Sequence, residues 1–250
     1  MCGRFTLTAT PAEVAEFLLL EDLDGFPPRF NIAPTQPILV VLGGRDVRPE
    51  ALTDGREGRL VRWGFLPGWL KEPKGAALTF NARSETAAEK PSFRGAMRHR
   101  RCLVPASGFY EWRRERTARK GQPYFVRPRS ARPIVFAGIM ETWHAADGSE
   151  IDTAAILTTG ANATLSPIHE RMPVTIAPRD IARWLDCRAY EPREVADLLV
   201  PAGDEIFEAI PVSDLVNKVA HVGPEVQAPL GAVAISGSGR APAPAQGSLF

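Results

Sequence analysis

The sequence predicts an α+β fold built mainly on antiparallel sheets that form a barrel-like core, with helices at the periphery. Two observations carry this. The middle of the chain is a succession of strand-like segments: CLVP, GFYEWRR, PYFVR, PIVFAGIMETW and IDTAAILTT. Few helical patterns intervene between them, which favours neighbouring strands that pair antiparallel. No internal repeat is visible.

The elements follow in order. Thr10 to Leu20 (TPAEVAEFLLL) reads as a helix. Thr10 can cap it, Pro11 suits the first turn and Glu13 completes a capping box. Val14, Phe17 and Leu18 share one face. PILVVL (Pro37 to Leu42) and RLVRWGF (Arg59 to Phe65) are strand-like and are joined by a polar, glycine-containing loop. Ser84 to Arg100 is helical in one or two pieces, interrupted near Pro91. RERTARKGQ, between GFYEW and PYFVR, reads as an exposed hairpin loop. After PVTIAP come two helix-like pieces, DIARWLD and PREVADLLV, and then a strand, IFEAIPVS. One domain is expected over residues 1–230. Residues 231–250, rich in Pro, Gly, Ser and Ala, read as a disordered tail.

Composition narrows the class. Hydrophobic residues make up 44% and charged residues 24% of the 250 residues, which is ordinary for a soluble globular protein. No apolar run reaches the length of a membrane span, and the N-terminus lacks a secretory pattern. A cytoplasmic protein is expected, with no membrane partner. The three cysteines, Cys2, Cys102 and Cys187, are odd in number and show no CxxC spacing, which argues against a disulfide framework and a zinc site. Cys102 and Cys187 read as small buried or inert thiols. No histidine has a partner at ligand spacing, so no metal and no cofactor are expected. Nothing in the sequence demands more than a monomer.

The net charge of +1 is unevenly spread. From Arg94 to Lys120 there are nine Lys/Arg and two Glu, a local +7, which leaves −6 for the remainder. Such a segment can present a phosphate-binding face or simply a solvated helix and loop.

Several short polar stretches can carry chemistry. Cys2 is the most reactive side chain, placed at the start of the chain. If Met1 is trimmed, its α-amine stands two carbons from its thiol. Glu111 sits between Tyr110 and Trp112, and alternation puts it on the face of Phe109. There it is either a partly buried carboxyl with a raised pKa or, favoured on the strand alone, a solvated group on an edge strand. His169 lies in a loop and is a candidate acid–base group, or a loop histidine that only makes hydrogen bonds. Asn81 can orient a ligand or cap the next helix, in competition with Ser84. Arg4, Arg83 and Arg171 suit bidentate phosphate or carboxylate recognition, or surface ion pairs. Trp63 reads as core and Trp69, after Pro67-Gly68, as exposed.

Taken together, MCGRF, RFNIAP, WGFLPGW, NARSET, GFYEW, TTGAN, HERMP and PVSDLVNKV resemble one family, the SOS-response-associated peptidase (SRAP) family, whose members shield abasic sites in single-stranded DNA. The resemblance runs from Cys2 to about Val219. It implies an enzyme that forms a DNA–protein crosslink: the Cys2 α-amine attacks the ring-opened sugar aldehyde, and the thiol closes a thiazolidine. It implies four catalytic roles. Cys2 is the nucleophile, and Asn81 positions the N-terminus or the opened sugar. Glu111 holds the amine and shuttles protons, and His169 assists ring opening, imine chemistry and reversal. Arg4, Arg83 and Arg171 would hold phosphates, while Asn31, Pro34, Trp69 and Thr158 would line the strand. Leu70 stands where the family often carries a second aromatic. The partner implied is single-stranded DNA with abasic sites, including those at single-strand/duplex junctions, and with it nucleoid association in a bacterial cell. The family name implies autoproteolysis, but only Met1 precedes Cys2, so ordinary methionine removal is expected to suffice. An α-amine has a pKa of about 7.7–8.0, so a useful fraction is neutral near pH 7.5, and a thiol of about 8.5 is expected to need only modest help. The competing functions are an N-terminal-nucleophile thiol amidohydrolase or peptidase, and a noncatalytic single-stranded-DNA-binding module.

Overall fold

The computed structural model describes residues 2–43, 55–73, 75, 77–114 and 120–230. The expected tail, the loop after Leu42 and most of the basic hairpin loop lie outside the described residues.

The first elements are β1 (Phe5–Leu7), α1 (Pro11–Leu18), β2 (Arg29–Ile32), β3 (Pro37–Leu42) and β4 (Glu57–Trp63). The capping box at α1 forms as the sequence predicts. The Thr10 hydroxyl accepts from the Glu13 amide, and the Glu13 carboxylate accepts from the Thr10 amide. Val14 and Leu18 go into the core. Next come β5 (Asn81–Arg83), α2 (Ser84–Ala87) and α3 (Arg94–His99), with Pro91 in the turns that part the two helices. The strand-rich middle comprises β6 (Arg101–Ala106), β7 (Gly108–Arg113), β8 (Gln122–Pro128), β9 (Ile134–His144) and β10 (Glu150–Gly160). β11 (Arg171–Pro173), α4 (Ile181–Leu185), a 3₁₀ segment over Pro192–Leu198 and β12 (Phe207–Pro211) follow.

The strands form two sheets. One runs β12-β8-β7-β1-β2. In the other, β10 pairs β4, the order continues β4-β3-β6-β9, and β9 pairs back to β10, closing a five-stranded barrel. The expected barrel-like antiparallel core is therefore present, with two parallel contacts, β10 to β4 and β10 to β5, as its departure from a pure antiparallel design. β5 and β11 flank the C-terminal half of β10.

An aromatic chain joins the two sheets. Phe5 meets Trp63 edge-on at 5.1 Å and Phe136 at 6.0 Å, and Phe109 meets Phe136 and Phe207 at 5.9 and 5.8 Å. Each such pair adds about 0.5–1.5 kcal/mol beyond the area it buries. Tyr110, from the opposite face of β7, packs into a second cluster with Phe125, Val212, Val216 and Val226. Gly108 is required at the start of β7: a Cβ there would stand 2.6 Å from the Val126 carbonyl oxygen and from the Phe125 ring.

The basic segment does not form one face among the described residues. Arg101 is buried and donates to the carbonyls of Trp184, Met97, Asp186 and Tyr190, which ties β6 to α4. Arg98 and Arg100 pair with Glu191 and Glu141. Cys102 is buried as expected, and Cys187 is only half-buried. No helix among the described residues is long and apolar enough to cross a membrane.

Candidate active site

Strand pairing gathers the reactive groups. β1 runs antiparallel to β7 in the register Phe5 with Phe109, and the Tyr110 amide donates to the Arg4 carbonyl. Continuing that register brings the Cys2–Gly3 stretch alongside Glu111. Cys2 is fully buried, with its thiol donating to the Arg4 carbonyl at 3.7 Å. Burial pushes the thiol pKa well up, and the nearby Glu111 charge pushes it further. The expectation that the thiol needs only modest help is thus corrected: at rest it is held protonated.

Glu111 is 3% exposed. The solvated edge position favoured by the strand alone is overturned, because β7 is paired on both sides, by β1 and β8. Its carboxyl shares the inner face with Phe109, so desolvation raises its pKa to about 7. A carboxyl so placed can both take and return a proton near neutral pH.

Asn81 enters from β5, which is positioned by its parallel pairing to β10 and by the Trp63 indole, whose Nε1 donates to the Phe80 carbonyl. Its Nδ2 donates to the Cys2 carbonyl at 2.8 Å. Its Oδ1 is buried without a hydrogen-bond partner among the described residues. It therefore orients the N-terminal segment, and does not cap the next helix: α2 has no side-chain cap.

His169 ends a loop of turns pinned by Asn162. That side chain is nearly buried; it donates to the Ala202 carbonyl and accepts from the Leu165 amide. The His169 amide donates in turn to the Leu165 carbonyl. His169 Nδ1 lies 3.0 Å from the Arg171 amide nitrogen and 3.2 Å from the Arg171 carbonyl oxygen, so the backbone of residue 171 holds that edge of the ring. Burial lowers its pKa, with the Arg114 charge a smaller contributor in the same direction. The ring is thus neutral at pH 7.

The arginines divide. Arg171 donates to both carboxylate oxygens of Glu85, at 2.5 and 2.8 Å, and to the carbonyl and hydroxyl of the buried Thr158, at 2.5 and 3.3 Å. Arg83, opposite Thr158 on β5, is exposed. Arg4 donates to Asn31 Oδ1 and to the carbonyls of Val216 and Asn217. Asn31 is buried and donates from Nδ2 to the carbonyls of Val216, Lys218 and His221. Arg4 and Asn31 are therefore a clamp on the 3₁₀ segment Asp214–Asn217 and the turn after it. Pro34 is half-buried in a tight turn where Thr35 adopts a left-handed φ of 77°. Trp69 is 64% exposed on the loop after β4, and Trp63 is fully buried, as expected. Sequence reasoning missed two residues, Glu85 and Asn162. Both lie inside quoted motifs, NARSET and TTGAN, but neither has a spacing that reveals its partner.

The arrangement brings together a buried thiol, a carboxyl titrating near neutrality and a carbonyl-anchoring amide, while the neutral imidazole and the arginines stand by the end of β10. Comparison with known proteins identifies the family. The family model described as SOS response associated peptidase (SRAP) matches residues 1–219. The abasic site processing protein YoqW of Bacillus subtilis is 36% identical over 231 residues, 90% of this chain and 98% of that one. The abasic site processing protein HMCES of Gallus gallus is 30% identical over 266 residues, 92% of this chain and 78% of that one. A crystal structure of a protein from Bacteroides thetaiotaomicron shares the fold with a TM-score of 0.78 at 24% identity, covering 90% of this chain and 98% of that one.

Proposed function

Because the chain belongs to the SOS response associated peptidase (SRAP) family, we propose that it captures abasic sites in single-stranded DNA as a covalent thiazolidine through Cys2. The observation that carries this reading is the setting of Cys2: fully buried, its carbonyl held by Asn81, its thiol within electrostatic reach of Glu111.

The chemistry runs in order of nucleophilicity. Removal of Met1 frees the α-amine, whose reference pKa of about 7.7–8.0 leaves it partly neutral near pH 7.5. Glu111, titrating at about 7, takes the proton of the ammonium form. With its proton on Nε2, His169 donates a hydrogen bond to the sugar ring oxygen as the hemiacetal opens; the ring oxygen takes a proton from water and the C1 hydroxyl gives one back to water, leaving the aldehyde and a C4 hydroxyl. The amine adds to the aldehyde carbon, and water leaves from the carbinolamine with a proton from the acid form of Glu111. The thiol then gives its proton to the Glu111 carboxylate and adds to the imine carbon. The ring that closes holds sulfur, Cβ, Cα, nitrogen and the former aldehyde carbon. One water is lost overall. A thiol hydrolase would need thiolate first, and burial together with Glu111 works against that. Arg83 and Arg171 hold phosphates beside the lesion, Thr158 supports Arg171, and Trp69 offers a stacking face to a base.

Intact mass spectrometry tests the reading, with the protein weighed before and after mixing with a single strand that holds one abasic site. Protein lacking Met1 gains one strand minus one water, mapped to Cys2, and Cys2→Ala gains nothing while still binding DNA in a salt-sensitive way. A Met1-free protein that gains no covalent mass overturns it.

A further inference from the structure

The Glu85–Arg171 pair is not explained by the crosslinking chemistry. Its geometry is fork to fork: Nη1 meets Oε1 at 2.5 Å and Nη2 meets Oε2 at 2.8 Å. Two carboxylate oxygens against a guanidinium edge reproduce the contact that two phosphate oxygens would make. The two partners are unequally fixed. The Arg171 side chain is 12% exposed and anchored from behind by Thr158, whereas the Glu85 side chain is 50% exposed on the four-residue helix α2. The arginine is the fixed half and the carboxylate the outer, movable half. The hydrogen bonds from Arg171 hold the Glu85 pKa below the usual carboxylate range, so the latch is ionised at neutral pH. Exposed Arg83 lies two residues before Glu85 and adds to its field.

We infer that Glu85 sets the strength of strand binding, because its carboxylate occupies the donor fork of Arg171 that a backbone phosphate must take over. The inference rests on the reading that a DNA strand passes Arg171. In the DNA-free protein Glu85 holds the guanidinium in place and neutralises it. A correctly placed phosphodiester exchanges with the carboxylate without moving the arginine, and Glu85 turns out to solvent. Glu85 is thus a positioning residue whose presence makes Arg171 available only to a ligand that can compete with a bidentate carboxylate.

The test is reversible binding to a single strand carrying a tetrahydrofuran abasic analogue, which has no aldehyde to crosslink, measured by fluorescence anisotropy over a range of salt. Glu85→Gln binds about two- to fivefold more tightly at low salt, the range set by one exposed ion pair. Its plot of log affinity against log salt steepens, because no displaced carboxylate takes up a cation when the strand binds. Glu85→Asp keeps the charge, withdraws the carboxylate by one methylene and also binds more tightly. Glu89→Gln removes the same charge from an exposed neighbour and changes neither quantity comparably. In an Arg171→Gln background the gain from Glu85→Gln disappears. Equal or weaker binding by folded Glu85→Gln, or the same gain in Glu89→Gln or without Arg171, overturns the inference alone. A wild-type protein that binds no strand overturns the functional reading and this inference together.

Discussion

The Asn81 side chain donates to the Cys2 carbonyl at 2.8 Å across 79 residues of chain. This bond ties β5, and through it β10 of the barrel, to the segment that bears Cys2. The Asn81 Oδ1 is buried without a hydrogen-bond partner among the described residues. Asn81→Ala therefore costs only about 1 kcal/mol of stability, the net worth of one hydrogen bond. It costs far more in rate, about tenfold to a hundredfold, because a misplaced amine loses its near-attack geometry. Single-turnover crosslinking and a denaturation curve on the same variant separate the two. A rate loss no larger than the stability loss would reduce Asn81 to a structural tie.

Glu111 gives a pH prediction with a definite sign. Folding raises its pKa from about 4.3 in an unfolded chain to about 7. The folded state thus holds the proton more tightly. Its contribution to stability is fully present below about pH 4.3 and is lost as pH rises through about 7. Glu111→Gln, which cannot ionise, melts higher than wild type at pH 8, and the gap closes towards pH 4–5. The same variant crosslinks about 10²- to 10⁴-fold more slowly, and its pH–rate profile keeps only the limb from the amine. Parallel melting curves for the two proteins from pH 4 to 8 would show that Glu111 ionises freely in the fold.

Burial holds His169 neutral, and its Nδ1 edge rests against the backbone of Arg171. Its proposed task is hydrogen-bond donation to the sugar ring oxygen as the ring opens, so the penalty for losing it depends on the substrate. His169→Ala slows capture of an abasic strand by about 10²-fold or more. Capture of a small open-chain aldehyde, which has no ring to open, stays near the wild-type rate. Strand affinity changes by less than about twofold, since no phosphate contact is removed. Equal slowing on both substrates would move His169 from ring opening to imine chemistry.

Much of this site was legible because its parts are local. The capping box at Thr10 and Glu13 is written within four residues, and the strands of the middle announce themselves by composition. Cys2, Asn81, Glu111 and His169 stood out as reactive types in turn- or strand-flanked motifs. What was not legible depends on distant pairing. Glu111 looked solvated because no local pattern tells that β1 will cover the free side of β7. The parallel contact of β10 with β4 is equally invisible from either strand. Arg4 was expected to hold a phosphate and Asn31 to line the path of the strand. In the fold they serve the carbonyls of an irregular segment, Val216 to His221, which has few ladder partners of its own and needs outside donors. Glu85 went unnoticed because a carboxylate beside an arginine motif gains meaning only when β11 brings Arg171 to it.

Arg4 and Arg83, both expected to hold phosphates, now separate into two roles that one experiment distinguishes. Arg4 spends its guanidinium on Asn31, Val216 and Asn217, closing the sheet of β1 and β2 against the 3₁₀ segment Asp214–Asn217. Arg4→Ala strands these acceptors in a half-buried setting, so it lowers the melting temperature, with a cost of about 1–3 kcal/mol. The salt dependence of strand binding by the folded fraction stays as in wild type. Arg83 is exposed beside Thr158 at the end of β10. Arg83→Ala leaves the melting temperature within about 0.5 kcal/mol of wild type, as surface substitutions do. It weakens strand binding and flattens the salt slope by about 0.7, one phosphate contact on a single strand. The two variants therefore move opposite observables. A flattened slope in Arg4→Ala would return Arg4 to the phosphate set, and an unchanged slope in Arg83→Ala would remove Arg83 from it.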